Sequence, residues 1–207
     1  IRRPPRSTQG VSSAASDVYK RQGYILVGVA AGVKSSGSGL GTLEFVVIGP
    51  SSVLFYLTAY TAANLTAFFA VIAICSRTAG SRIDDFAGMV RRAPFLAVAL
   101  TLALVALIGV PPTSIFIAKL YIFTAAVDSG LAWLAIVGVL NSVVSAYYYV
   151  RVIRVMFLQQ SISQESFSTP ISSLIALTLA GTTMLWIGIA PGYIMRVTQS
   201  AASVLGG

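Results

Sequence analysis

The sequence predicts an all-α, polytopic transmembrane helical bundle. Three observations carry its class. Of 207 residues, 56% are hydrophobic and 10% charged, against about 25% charged in ordinary soluble domains, so a soluble fold could not cover its surface. Several apolar runs approach the roughly 20 residues that cross a bilayer as a helix. No stretch alternates with period two, which excludes a membrane barrel.

Charge and rare residues narrow the function. The net charge is +8, but half of it comes from Arg2, Arg3, Arg6, Lys20 and Arg21 against Asp17 in residues 1–22. The other basic groups lie mostly at the ends of apolar runs, and no basic patch is interleaved with aromatics, so nucleic acid is not a predicted partner. Cys75 is alone, which excludes an intrachain disulfide and a cysteine metal cluster. Histidine is absent, so histidine-based zinc or haem sites and a histidine-containing triad are excluded.

Residues 1–22, "IRRPPRSTQGVSSAASDVYKRQ", are polar and aperiodic. A signal peptide would follow its basic start with an apolar core; here serines follow. The string resembles a translated sequencing adapter and is set aside as non-native. Residues 23–207 then form the C-terminal part of a longer membrane domain.

The first run, Gly23 to Val33, is too short to span and reads as the tail of a helix. Its Gly28 and Gly32 form a G-x-x-x-G that admits a close neighbour. After the loop "KSSGSGLGT", the second run, Phe45 to Ser76, is long enough to span, with Asn64 near its centre as packing glue or a polar-pathway contact. Residues 77–92 hold four arginines and two aspartates and read as a solvated connection, although "FAGMV" lies inside it. The third run, Ala93 to Val110, starts with Pro94, which suits a first helical turn, and is stopped by Pro111 and Pro112. The fourth, Thr113 to Val127, would rise only about 22 Å against a core of about 30 Å. The fifth, Leu131 to Leu158, carries Gly138, Asn141 and Ser142 on an expected close-packed face, and Trp133 and Tyr147 among its aromatics, with Arg151 and Arg154 able to snorkel. The sixth is Ile171 to Ala190.

Lys119 is the one charge well inside an apolar run. A charge at the bilayer centre costs at least about 2.5–3.5 kcal/mol, and a lysine out of water can exchange a proton near neutral pH. It follows the Pro111-Pro112 break by two helical turns, and broken helices at membrane depth recur at ion pathways. The other reading is a lysine that snorkels roughly 10 Å to a run end.

Here the residues match a family. "GVPPTSIFIAKLYIF" and "WLAIVGVLNSVVSAYYYVRVIRVMF", with "GYILVG", "YLTAYTAANLTAFF" and "DDFAGMVRRAPFLA" upstream, resemble subunit N of NADH-quinone oxidoreductase, respiratory complex I (NADH dehydrogenase subunit 2 in mitochondria). The resemblance covers about residues 23 to 190. It implies an antiporter-like subunit of some fourteen helices, of which this chain would hold the last six, the first truncated, in the bacterial cytoplasmic (inner) membrane. It implies other membrane subunits of complex I and the lipid bilayer as partners, and no redox cofactor in this chain: NADH, FMN, Fe–S clusters and quinone would belong to partners. The family's lysine in its broken twelfth helix matches Lys119 and is held to move protons. Two departures stand out. The family reads close to "PPTAGF" where this chain has Ser114 and Ile115 before Phe116, and a histidine usually precedes its "GY".

If each run crosses once, Arg77, Arg82, Arg91, Arg92 and Arg196 share one side, and Lys34, Arg151 and Arg154 the other. Positive-inside counting puts the 77–92 loop in the cytoplasm, while the family topology puts it outside. Two other functions compete: the homologous subunit of a multisubunit cation/proton antiporter or membrane-bound hydrogenase, and a scaffold that transports nothing.

Overall fold

One long helix organises the others. In the computed structural model, residues 22–32, 43–78, 82–160 and 169–205 are described; the adapter-like segment as far as Arg21, Lys34 and the Gly/Ser-rich loop fall outside them. Helix α1 is Gln22–Gly32, and the long α2 is Leu43–Cys75. A 3₁₀ turn at Ile83–Phe86 and the one-turn α3, Met89–Arg92, lead into α4, Pro94–Ile108. Then come α5, Ser114–Asp128, α6, Ala132–Leu158, α7, Ile171–Ile189, and α8, Gly192–Leu205. No strand occurs among the described residues.

The six apolar runs appear as α1, α2, α4, α5, α6 and α7. Three helices are long and apolar enough to cross a membrane alone: α2 from Gly49, α6 and α7. The core explains how the short ones are used. It has two clusters stacked along α2. One, beside the first half of α2, gathers Phe55, Tyr56 and Ala59 with Ala106, Ile115, Ile122, Ala135 and Met184. The other, beside its last turns, gathers Ala70 and Ile74 with Leu96, Leu100, Met156 and Leu177.

Each helix direction follows. Helix α4 starts in the cluster at the end of α2 and its last turn enters the first cluster, where α5 continues. The two half-helices therefore follow one another antiparallel to α2 and share a crossing. Helix α6 runs back from Ala135 to Met156, and α7 returns from Leu177 to Met184 and Ile187. This corrects the one-crossing-per-run count. Arg151 and Arg154 lie at the same end as the 77–92 loop, and Arg196 lies at the other.

Close approaches are made by glycines. A Cβ on Gly28 would overlap the Val53 side chain, and Gly32 sits against the Pro50 ring, so the G-x-x-x-G of α1 does seat α2. The loop is more than a solvated connection. Phe86 is 7% exposed and Met89 0%, both in the second cluster, because two apolar side chains beside helix ends gain more from burial than from water.

Candidate functional site: a lysine at the helix break

The site begins with how α4 ends. Ala93 precedes Pro94 at the first helical position, where a missing N–H costs nothing. At the other end Gly109 takes φ 88°, the left-handed conformation, and its N–H donates to Ala106 O at 2.9 Å. Glycine adopts this freely. The helix is therefore stopped by Gly109, two residues before the prolines to which the sequence assigned the stop. Pro111 and Pro112, joined by a cis bond, fill the exposed turn between the half-helices. Thr113 precedes α5, and its hydroxyl donates to Val110 O at 2.7 Å.

The carbonyls in the last turn of a helix have no partner inside it. One of them, Ile108 O, accepts a hydrogen bond from Lys119 Nζ at 2.9 Å. Lys119 is the sixth residue of α5, and helical side chains lean toward the N-terminus, so its stem reaches back across the break. The ammonium thus caps the negative end of the α4 dipole. Gly109 leaves it room: a Cβ there would come 3.2 Å from Nζ. Lys119 is 8% exposed and forms no ion pair with a described carboxylate.

Its other neighbour is aromatic. Nζ lies 5.3 Å from the ring centroid of Tyr24 in α1, within cation–π range. Tyr24 is 6% exposed. Its hydroxyl lies 3.0 Å from Gly138 O and at short range from Ser142 Oγ, which itself lies 3.1 Å from Gly138 O; with one proton on each hydroxyl, two of these three contacts are hydrogen bonds at a time. A cavity of about 330 Å³ opens beside this group, bordered by Tyr24, Val27, Leu134, Gly138 and Asn141.

The expected site residues divide. Lys119, Ser142 and Asn141 gather around Tyr24. Asn64 is half-buried on α2, and no hydrogen bond ties its amide to Lys119, Tyr24 or Ser142. Tyr147 is 69% exposed on the uncovered face of α6, its ring against Tyr148. Tyr24 was missed by the sequence reading. Its signal was a phenol inside an apolar helix, since a buried hydroxyl requires a partner. Ser114 is fully buried and its Oγ has no hydrogen-bond partner. A Cβ on Gly188 of α7 would overlap Pro112 O and Ser114 N, so α7 supports the break from behind. Among the described residues, no group of histidine, cysteine or carboxylate side chains could hold a metal.

Residues 31–145 match the family model described as NADH:quinone oxidoreductase/Mrp antiporter, transmembrane. The chain belongs to this family. A curated relative, NADH-quinone oxidoreductase subunit N 2 of Symbiobacterium thermophilum, is 45% identical over 87% of this chain and 34% of its own length. Subunit N of Dehalococcoides mccartyi is 38% identical over 88% of this chain and 36% of its own. The chain thus spans about a third of the curated relatives it matches. Similar folds occur in the membrane-bound sulfane sulfur reductase, an archaeal respiratory membrane complex (TM-score 0.71, 23% identity, 92% of this chain and 42% of that one). They recur in the Mrp complex from Dietzia (0.69, 21%, 88% and 40%) and in respiratory complex I from Thermus thermophilus (0.62, 22%, 87% and 45%). The chain is an integral membrane protein of the antiporter-like class, and its relatives are subunits of NADH-quinone oxidoreductase.

Proposed function

We propose that this chain is the C-terminal part of a proton-translocating membrane subunit of NADH-quinone oxidoreductase in the bacterial cytoplasmic membrane, and that Lys119 carries a proton in its pathway. The observation that supports this most is the position of Lys119. A single ammonium sits buried at a helix break, held by a backbone carbonyl and an aromatic face, with no described carboxylate paired to it. Neither contact locks the proton in place as a tight ion pair would, so the group can exchange it with water or a neighbouring base. Ser142, bonded to the Tyr24 hydroxyl, and Asn141, on the cavity beside it, supply polar groups on the far side of Tyr24. Electron transfer would belong to partner subunits that hold NADH, FMN, Fe–S clusters and quinone.

The subunit N relatives favour the quinone oxidoreductase, whereas the fold likeness to the Mrp complex keeps the cation/proton antiporter as the second reading. Purifying the tagged full-length subunit separates these. Co-purification of NADH-oxidising subunits supports the first reading, and antiporter subunits alone would replace it with the second. A scaffold role is tested by Lys119→Arg in the full-length subunit. Arginine keeps the charge but cannot release its proton. Proton pumping should fall by about tenfold or more, as for loss of a positioned proton-transfer group; pumping equal to wild type would favour the scaffold.

A further inference from the structure

We infer that Tyr24 is a positioning residue for Lys119: its ring face holds the ammonium against the end of α4 while its hydroxyl anchors the ring to α6. This rests on reading Lys119 as the proton carrier, but the geometry stands on its own. The ammonium has three donors. One goes to Ile108 O at 2.9 Å, and no described carboxylate takes another. The Tyr24 ring, 5.3 Å from Nζ to its centroid, is the aromatic face that the ammonium meets.

The ring is not free to turn. Its hydroxyl is tied to Gly138 O and to Ser142 on α6, and the ring packs at a tilt against those of Tyr56 and Phe123, 5.7 and 6.0 Å between centroids. Gly138 makes this possible, because a Cβ there would overlap the Phe123 ring. Tyr24 therefore joins α1, the lysine of α5 and the middle of α6 in one linkage. A slide of α1 or a rotation of α6 would carry the ring away and leave the ammonium to the α4 carbonyl alone. The ring thus sets whether Lys119 stays folded back across the break or swings toward the cavity beside Asn141.

Three substitutions in the full-length, assembled complex test this. Tyr24→Phe keeps the ring and drops the hydroxyl; Tyr24→Leu keeps bulk and drops the ring; Lys119→Ala removes the cation. Assembly is checked first by the amount of subunit in the purified complex. Pumping in reconstituted vesicles should fall about tenfold or more in Tyr24→Leu, the order of a desolvated cation–π contact, and by a smaller factor in Tyr24→Phe, which keeps the ring and loses its anchor to α6. The second readout is the apparent unfolding temperature of the complex in a double-mutant cycle. Tyr24→Leu should lower it more in the wild-type background than in Lys119→Ala, because contacting residues are non-additive. Additive shifts, or equal pumping losses in Tyr24→Phe and Tyr24→Leu, would overturn the positioning role. If Lys119→Ala pumps normally while the cycle still shows coupling, the proton-carrier reading fails and the linkage survives. If Tyr24→Leu does not assemble, Tyr24→Met takes its place in both readouts.

Discussion

At the scale of single residues, the site is built on what Gly109 lacks. Its φ of 88° lies where an L side chain is strained, and a Cβ would come 3.2 Å from the Lys119 ammonium. Gly109→Ala should therefore cost about 1 kcal/mol from the backbone alone and displace Lys119 as well. Gly130, with φ 70° after α5, supplies the control, since it has the same backbone strain and lies eleven residues beyond Lys119. Thermal stability should fall at least as far in Gly109→Ala as in Gly130→Ala, and pumping should fall further; equal pumping would mean that the glycine only ends a helix. Lys119 itself was legible in the sequence, because a lone charge in an apolar run is conspicuous. What it touches was not. Ile108 lies eleven residues earlier and Tyr24 ninety-five earlier, and neither spacing follows from helical period. Nor did the sequence show that Tyr147 stands in the open while Ser142 is drawn in, since both lie on one apolar helix without a polar face to orient it.

At the scale of elements, the break depends on α7. Gly188 lets that helix lie directly on the backbone of Pro112 and Ser114. Gly188→Ala should force the half-helices apart and reduce the amount of assembled subunit. Gly192→Ala, where a Cβ meets open space, should leave it unchanged. Similar yields in purified membranes would show that the contact can relax at no cost. Helix extents were readable to within a residue or two, because Gly, Pro and charges bracket the apolar runs. Helix α8 was not anticipated. Its polar residues Arg196, Gln199, Ser200 and Ser203 break the apolar run, and only its packing on α2 reveals the face holding Thr198 and Ala202, both buried. The burial of Phe86 and Met89 was also hidden, since the charges around them read as a wet loop.

At the scale of the whole molecule, the largest change from the sequence reading is topological. With α4 and α5 sharing a crossing, Arg77, Arg82, Arg91, Arg92, Arg151 and Arg154 lie at one end, and Arg196 lies at the other. Positive-inside logic puts the crowded end in the cytoplasm. In a Cys75→Ser background, single cysteines replacing Arg91 and Arg154 should both react with a membrane-impermeant thiol reagent from the cytoplasmic face, and one replacing Arg196 from the opposite face. Labelling of Arg91 and Arg154 positions from opposite faces would restore the six-crossing count. The sequence could not show this, because two short runs in succession look the same whether the chain turns back or runs on. Helix α6 leaves most of its apolar length uncovered, including Trp133, Ile136 and Val143, a surface suited to lipid or to other membrane subunits.

The central claim is that Lys119 carries protons, and the proton-to-electron ratio tests it most directly. Lys119→Ala in the full-length subunit, assembled in its complex and reconstituted into vesicles, should lower that ratio with the complex intact. An unchanged ratio at an unchanged rate of electron transfer would contradict the account.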